Sequence, residues 1–161
     1  MRGLRRLGHR VAFFQDTAAP SAYGRRMNET QTETTPYTIH ALADTEDLAP
    51  KHGLDEQGEA RFATEDLAAE QTGVSLQRLH PGKRQVFGHR HDRAEEVYVV
   101  LSGSGRVKLD DDIEDIRALD AIRVAPAVTR AFEAGPDGLQ LLAFGPRHPG
   151  DGEIVQGWWT D

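Results

Sequence analysis

The stretch HRHDRAEEVYVVLSG, residues 89–103, decides the fold of this chain. It contains two histidines two positions apart, then carboxylates, then an apolar run that ends at a glycine. Successive side chains of an extended strand point to opposite faces, so His89 and His91 share one face. A following antiparallel strand can bring Glu96 against them, and two imidazoles with a carboxylate suit a divalent transition metal. The stretch therefore predicts β-structure and a metal site together.

Short apolar runs separated by turn residues continue from residue 74 to about residue 145. We expect strands at residues 74–79, 86–91, 97–101, 106–109, 113–119, 121–125, 130–134 and 139–144. Glycine, proline and aspartate make residues 102–105, 110–112 and 135–138 the expected turns between them. Several short strands at this spacing indicate an all-β sandwich or barrel.

The N-terminal part has a different character. Residues 1–36 are expected to be disordered or extended, and residues 37–72 to form an extension with a strand at 37–42 and helical turns at 45–48 and 64–69. The first 27 residues hold six arginines and one acid. An organelle-targeting segment, a disordered tail, and an extension ahead of a start at Met27 all fit this composition.

Composition excludes several classes of protein. A chain of 161 residues suits one domain, and its net charge of −7 argues against general nucleic-acid binding, which needs a basic surface. The chain has no cysteine, which excludes disulfides and thiolate metal sites and fits a reducing, cytoplasmic compartment. No apolar run approaches the roughly 20 residues of a membrane-spanning helix.

The deciding stretch resembles the first signature of the cupin superfamily, in its small single-domain "cupin 2" form. That signature is a glycine, a spacer, His-x-His, three or four residues, Glu, six residues and Gly. His89, His91, Glu96 and Gly103 fit this spacing, and Gly82 would be the leading glycine, one residue further away than usual. The resemblance implies a double-stranded β-helix, or jelly-roll barrel, over residues 73–146 with its metal ligands pointing inward.

The second signature of the family is altered in this chain. Residues 120–132 resemble the pattern glycine-aspartate, strand, Pro-Pro-Gly-x-x-His-x-Phe, but Arg130 replaces the histidine that would complete the metal site. In one hypothesis His89, His91 and Glu96 hold iron, manganese, nickel or zinc, and Arg130 binds an anionic group of a small molecule. In the other, Arg130 pairs with Glu96 and no metal binds.

The resemblance leaves the function open between two classes. A metal-dependent oxygenase or isomerase would use the three ligands, with Arg130, Tyr98 and Phe132 in contact with the small molecule. A metal-free sugar- or acid-binding or regulatory protein would use the same pocket without catalysis. Cupins serve so many chemistries that the fold cannot identify the substrate.

Two expectations concern the surface. Trp158 and Trp159, in a tail of residues 147–161, have much apolar area to bury and should pack on the barrel or on a partner subunit. An exposed barrel edge favours pairing with a second copy, so a homodimer is expected.

Overall fold

A computed structural model describes residues 36–160 of the chain. The predictions for the arginine-rich residues 1–35 lie outside the described residues. Two short 3-10 helices, Leu42–Asp44 and Pro50–His52, precede the strands. The strands are β1 (Gly58–Phe62), β2 (Thr72–Leu79), β3 (Phe87–His91), β4 (Glu96–Leu109), β5 (Asp112–Arg117), β6 (Ala121–Val124), β7 (Arg130–Pro146) and β8 (Gly152–Gln156).

The strands form one curled antiparallel sheet, which confirms the all-β prediction. Its path runs β1-β2-β7-β3-β8, and β4 pairs with β5, β6 and β7. The two longest strands, β4 and β7, lie side by side from the pair Val97–Phe144 to the pair Leu109–Arg130. Apolar side chains of both strands build the core, with Tyr98, Val107 and Leu141 at most 1% exposed. No helix among the described residues is long and apolar enough to cross a membrane.

Two of the predicted turns are wrong, because β4 runs through residues 102–105 and β7 runs through residues 135–138. Glycines at these places allow the two backbones to approach closely instead of reversing the chain. A Cβ on Gly103 would lie 2.0 Å from the carbonyl oxygen of Gly138, and one on Gly105 would lie 2.0 Å from that of Glu133. The strand register also shifts around Gly103, which is typical of β-bulges that bend a sheet. The predicted turn at residues 110–112 is present, between the paired Leu109 and Asp112.

The N-terminal extension differs from its prediction in detail. The strand expected at residues 37–42 is absent, and the expected helical turn at 45–48 is wrong because Asp47 forms an isolated β-bridge with Arg61. The turn expected at residues 64–69 is present, with the Leu67 amide donating to the Ala63 carbonyl at 2.9 Å. The strand of this region is β1, whose charged residues and lack of β-branched residues gave little strand signal.

The strand β8 in the C-terminal tail was not predicted, and it determines where β3 lies. All five residues of β3 pair with β8, from Phe87–Gln156 to His91–Gly152. The tryptophans that follow contact the barrel: the Trp159 indole N–H donates to the Gln85 carbonyl at 2.8 Å. The ring of Trp158 lies against the backbone of Gly88, where an added Cβ would be 2.7 Å from it.

Candidate metal centre

The structure brings the three predicted metal ligands together. His89 and His91 lie on β3, and Glu96 is the first residue of β4. One potential ligand atom from each lies within 4.8 Å of the others. The Glu96 Oε2 atom is 3.5 Å from His89 Nε2 and 3.4 Å from His91 Nε2. The strand alternation explains the shared face, because the intervening Arg90 points outward and pairs with Glu153 at 2.8 Å.

Arg130 lies at the start of β7 and its side chain is fully buried beside the ligands. Its Nη2 donates to Glu96 Oε2, and its Nε donates to the Tyr98 hydroxyl at 3.0 Å. Its Nη1 donates to the backbone carbonyls of Val128 at 3.2 Å and Pro126 at 3.5 Å. The guanidinium is therefore held by four protein acceptors, and it pairs with Glu96 as the second hypothesis expects.

Tyr98 and Phe132 lie behind the ligands rather than in front of them. The Tyr98 hydroxyl donates to Glu96 Oε2, and it lies 3.2 Å from His89 Nε2. The Phe132 ring packs on the Tyr98 ring with 4.8 Å between centroids, and both side chains are 0% exposed. Neither Tyr98, Phe132 nor Arg130 lines the cavity described below.

Burial and charge set the protonation of the cluster. Burial alone would raise the pKa of Glu96, but the adjacent nitrogens of His89 and His91 and the charge of Arg130 outweigh it and hold that pKa well below its usual range. Burial lowers the pKa of His89, and the positive charge of Arg130 lowers it further. Burial and the Glu96 charge raise the pKa of Tyr98 well above its usual value. The cluster therefore contains a carboxylate, a neutral His89 and a neutral phenol.

A large cavity opens onto the three ligands. It has a volume of about 900 Å³ and is bounded by the N-terminal extension on one side and by the barrel on the other. His89, His91 and Glu96 belong to its lining, and Leu48, Leu54 and Phe62 line it from the extension and β1. The three ligand side chains therefore form part of the wall of this cavity.

Sequence reasoning missed one charged residue of the centre, Asp151. It lies just before β8, its side chain is 3% exposed, and its Oδ2 atom is 3.6 Å from His91 Nδ1. Burial alone would raise its pKa, but hydrogen bonds from the backbone of Ala94 and Arg93 outweigh burial and hold the pKa below its usual value. In the sequence Asp151 stands between two glycines and looks like an ordinary turn residue, so no local signal marked it.

The residues present fit a divalent transition metal as a three-ligand site. Both ring nitrogens of His91 are buried without a hydrogen bond of acceptable geometry, and a metal would satisfy one of them. His89 is neutral and Glu96 is ionised, which are the forms that coordinate. The permanent charge of Arg130 opposes a second cation at this place and should reduce the affinity.

No protein-family model matches this sequence, and no curated protein matches it. Solved structures do resemble it. A cupin protein from Bacteroides fragilis is 22% identical, with a TM-score of 0.57 over 80% of this chain and 91% of that one. A polyketide cyclase from Streptomyces resistomycificus is 18% identical, with a TM-score of 0.60 over 77% of this chain and 87% of that one.

A variant of oxalate decarboxylase from Bacillus subtilis is also similar, at 22% identity and a TM-score of 0.60. The match covers 76% of this chain and 33% of the decarboxylase, so this chain corresponds to about a third of that protein. Likenesses at these identities show the fold. The chain has a double-stranded β-helix fold like that of these structures, which confirms the fold that the resemblance implied.

Proposed function

We propose that this protein binds a divalent transition metal through His89, His91 and Glu96 and a small molecule in the adjoining cavity. The observation that carries the proposal is the meeting of the three ligand atoms within 4.8 Å at the wall of that cavity. A metal bound there would act as a Lewis acid that polarises an oxygen of the small molecule. Iron, manganese, nickel and zinc all accept this ligand set. An oxygenase or an isomerase remains the proposed class of enzyme.

The protein's own groups have separate tasks in this proposal. The Arg130 N–H and the Tyr98 O–H both donate to Glu96 Oε2, so they hold the carboxylate in one orientation and keep it ionised. Tyr98 retains its proton because its pKa is raised by burial and by the Glu96 charge. Arg130 and Tyr98 therefore position Glu96, and their contact with the small molecule is not part of the proposal.

The charges around the cavity favour a neutral molecule over the anionic one that Arg130 suggested. Arg130 lies behind Glu96, and its donors already have protein acceptors. Each lysine or arginine that lines the cavity within residues 36–160 is paired with a carboxylate. The pairs are Lys51–Glu46, Arg78–Glu59 and Arg147–Glu65. Each of these cations is already neutralised by a carboxylate, so the cavity offers an anion less net attraction than unpaired cations would.

A metal-free binding or regulatory protein is the second candidate, and one observation favours it. The Glu96 oxygen nearest the two histidines already accepts hydrogen bonds from Arg130 and Tyr98. If Glu96 keeps these two hydrogen bonds in solution, its charge is neutralised by Arg130 and it does not coordinate a metal. The cavity would then bind its small molecule without a metal. The homodimer and the cytoplasmic location stay predictions, the first of which light scattering would test.

Metal analysis separates the two candidates. Protein purified without an affinity tag should be incubated separately with Fe²⁺, Mn²⁺, Ni²⁺ and Zn²⁺, desalted, and measured by elemental mass spectrometry. We expect about one ion per chain in the wild type with at least one of these metals, and its loss in His91→Ala. His80→Ala is the matched control, since His80 is exposed and lies outside the centre. A wild type that retains none of the four ions would reject the metal proposal and favour the metal-free one.

A further inference from the structure

Asp151 is held rigidly at the loop that joins the two ligand-bearing strands. Its Oδ1 accepts the Arg93 amide at 3.1 Å, and its Oδ2 accepts the Ala94 amide at 2.8 Å. Its own carbonyl accepts the Asp92 amide at 3.1 Å. These three donors belong to the short connection between β3, which carries His91, and β4, which begins with Glu96. The carboxylate therefore has a fixed place relative to both strands.

The fixed carboxylate faces the nitrogen of His91 that points away from Glu96. Asp151 Oδ2 is 3.6 Å from His91 Nδ1, and Glu96 Oε2 is 3.4 Å from His91 Nε2. Both ring nitrogens are buried without a hydrogen bond of acceptable geometry. A shift of the imidazole of less than 1 Å toward Asp151 would bring Nδ1 to hydrogen-bond distance. The Nε2 atom would remain directed at the ligand cluster.

We propose that Asp151 is the positioning residue for His91, accepting a hydrogen bond from its Nδ1–H and thereby presenting the Nε2 lone pair to a metal. An imidazole that binds through one nitrogen generally donates a hydrogen bond from the other, which fixes its tautomer and its orientation. This inference rests on the metal site proposed above, and it assigns a residue of the C-terminal tail to the surroundings of that site. Asp151 comes directly before β8, so the tail both pairs with the histidine strand and orients one of its ligands.

The chain provides a matched control for this proposal. Glu153 lies on β8 two residues after Asp151 and pairs with the outward-facing Arg90 at 2.8 Å. Glu153→Gln therefore removes one carboxylate charge from the same strand pair without touching His91. Asp151→Asn keeps the size of the side chain but removes the negative charge that favours the Nδ1–H tautomer of His91. Its NH₂ group also cannot accept one of the two backbone amides that Asp151 accepts.

The first measurement needs no metal, and its result on the wild type alone can overturn the proposal. Long-range ¹H–¹⁵N NMR of the metal-free wild type reports which nitrogen of each histidine carries the proton. We expect His91 to be protonated at Nδ1 in the wild type and in Glu153→Gln, and to become a mixture of tautomers in Asp151→Asn. A wild-type His91 protonated at Nε2 would overturn the proposal, even if Asp151→Asn failed to fold.

The second measurement is a competition titration of Zn²⁺ against a chromophoric chelator. We expect Asp151→Asn to bind Zn²⁺ about 10- to 100-fold more weakly than the wild type, and Glu153→Gln to remain within about twofold of it. A weakened affinity with an unchanged His91 tautomer would overturn the positioning role and assign Asp151 to loop structure alone. If the wild type bound no metal at all, the metal site would be rejected, and the tautomer measurement would still decide the role of Asp151.

Discussion

The strands β4 and β7 and the strand β3 are held in the fold in different ways. β4 and β7 pair with each other over most of their length, and their inward side chains form the buried core. Within the described residues, β3 pairs with β7 only where His89 lies opposite Arg130, and its other partner is the tail strand β8. The fold thus rests on the long strand pair, whereas two of the three candidate metal ligands, His89 and His91, lie on a strand that the C-terminal tail secures. Substitutions in the long strand pair should therefore mainly change the stability of the fold, whereas substitutions around β3 should mainly change metal binding.

The largest expected effect comes from breaking the long strand pair at Gly103. This residue has a φ of +78°, and an added Cβ would lie 2.0 Å from the Gly138 carbonyl oxygen. We expect Gly103→Ala to lower the free energy of unfolding by about 3 kcal/mol, because left-handed strain and a backbone clash add together. Urea denaturation followed by circular dichroism measures this.

The matched control for that change is Gly53→Ala. Gly53 has a φ of +67°, and nothing lies within 4 Å of an added Cβ. We expect Gly53→Ala to lower the free energy of unfolding by about 1 kcal/mol, because only the backbone conformation is unfavourable there. Equal losses at the two positions would show that the close approach of β4 and β7 does not constrain the fold as described.

The next largest effect should come from replacing Arg130 by the histidine that the cupin signature has at this place. Arg130→His removes a cation next to Glu96 and adds a possible fourth ligand, so we expect Zn²⁺ affinity to rise at least tenfold, which is about 1.4 kcal/mol. Arg130→Met removes the cation without adding a ligand and separates the two contributions. Arg130→His binding Zn²⁺ no more tightly than the wild type would contradict the electrostatic account of this centre.

Stability should fall as the pH drops below about 6.5, the usual pKa of histidine. Burial, reinforced by Arg130, lowers the pKa of His89 in the folded protein. Unfolded chains therefore bind a proton at a higher pH than the fold does, and each pH unit below 6.5 lowers the free energy of unfolding by at most about 1.4 kcal/mol from this group. Denaturation midpoints between pH 7.5 and 5 measure the slope. The slope should be smaller in His89→Gln, and an unchanged slope in that variant would exclude His89 as its source.

The smallest expected effect is a difference between two probes of unfolding. The only two tryptophans of the sequence, Trp158 and Trp159, follow β8 and contact the strand and loop around Gly88 and Gln85. Their fluorescence reports the junction of β3 with the tail, whereas far-ultraviolet circular dichroism reports the whole sheet. We expect the fluorescence transition in urea to precede the dichroism transition slightly, since less buried structure secures the tail. Coincident transitions would mean that both regions unfold as one unit.

Much of the fold was predictable because strand alternation is local. The resemblance implies that Glu96 faces inward, and a period of two then turns Tyr98 inward and Glu95 outward. Glu95 indeed pairs with Arg123 at the surface. A period of two likewise puts Arg130 and Phe132 on the same face of a strand, and both side chains are buried. The meeting of His89, His91 and Glu96 followed from the same reasoning.

The remaining features depend on contacts between distant parts of the chain. The glycines near Gly103 could reverse the chain or let it bend within a strand. The outcome depends on the backbone of β7, which lies far away in the sequence. Asp151 acquires its role only because the tail returns beside β3, some 60 residues away in sequence. The contact of Arg130 with both Tyr98 and Glu96 also requires the folded barrel.

X-ray absorption spectroscopy of the protein loaded with one equivalent of Zn²⁺ tests most directly whether His89, His91 and Glu96 hold a metal. We predict nitrogen and oxygen atoms at about 2.0–2.2 Å from the metal, with the multiple-scattering signal of two imidazoles. In His91→Ala that signal should fall to one imidazole or the metal should be lost. A wild-type spectrum without imidazole scattering would contradict the claim that His89 and His91 hold a metal.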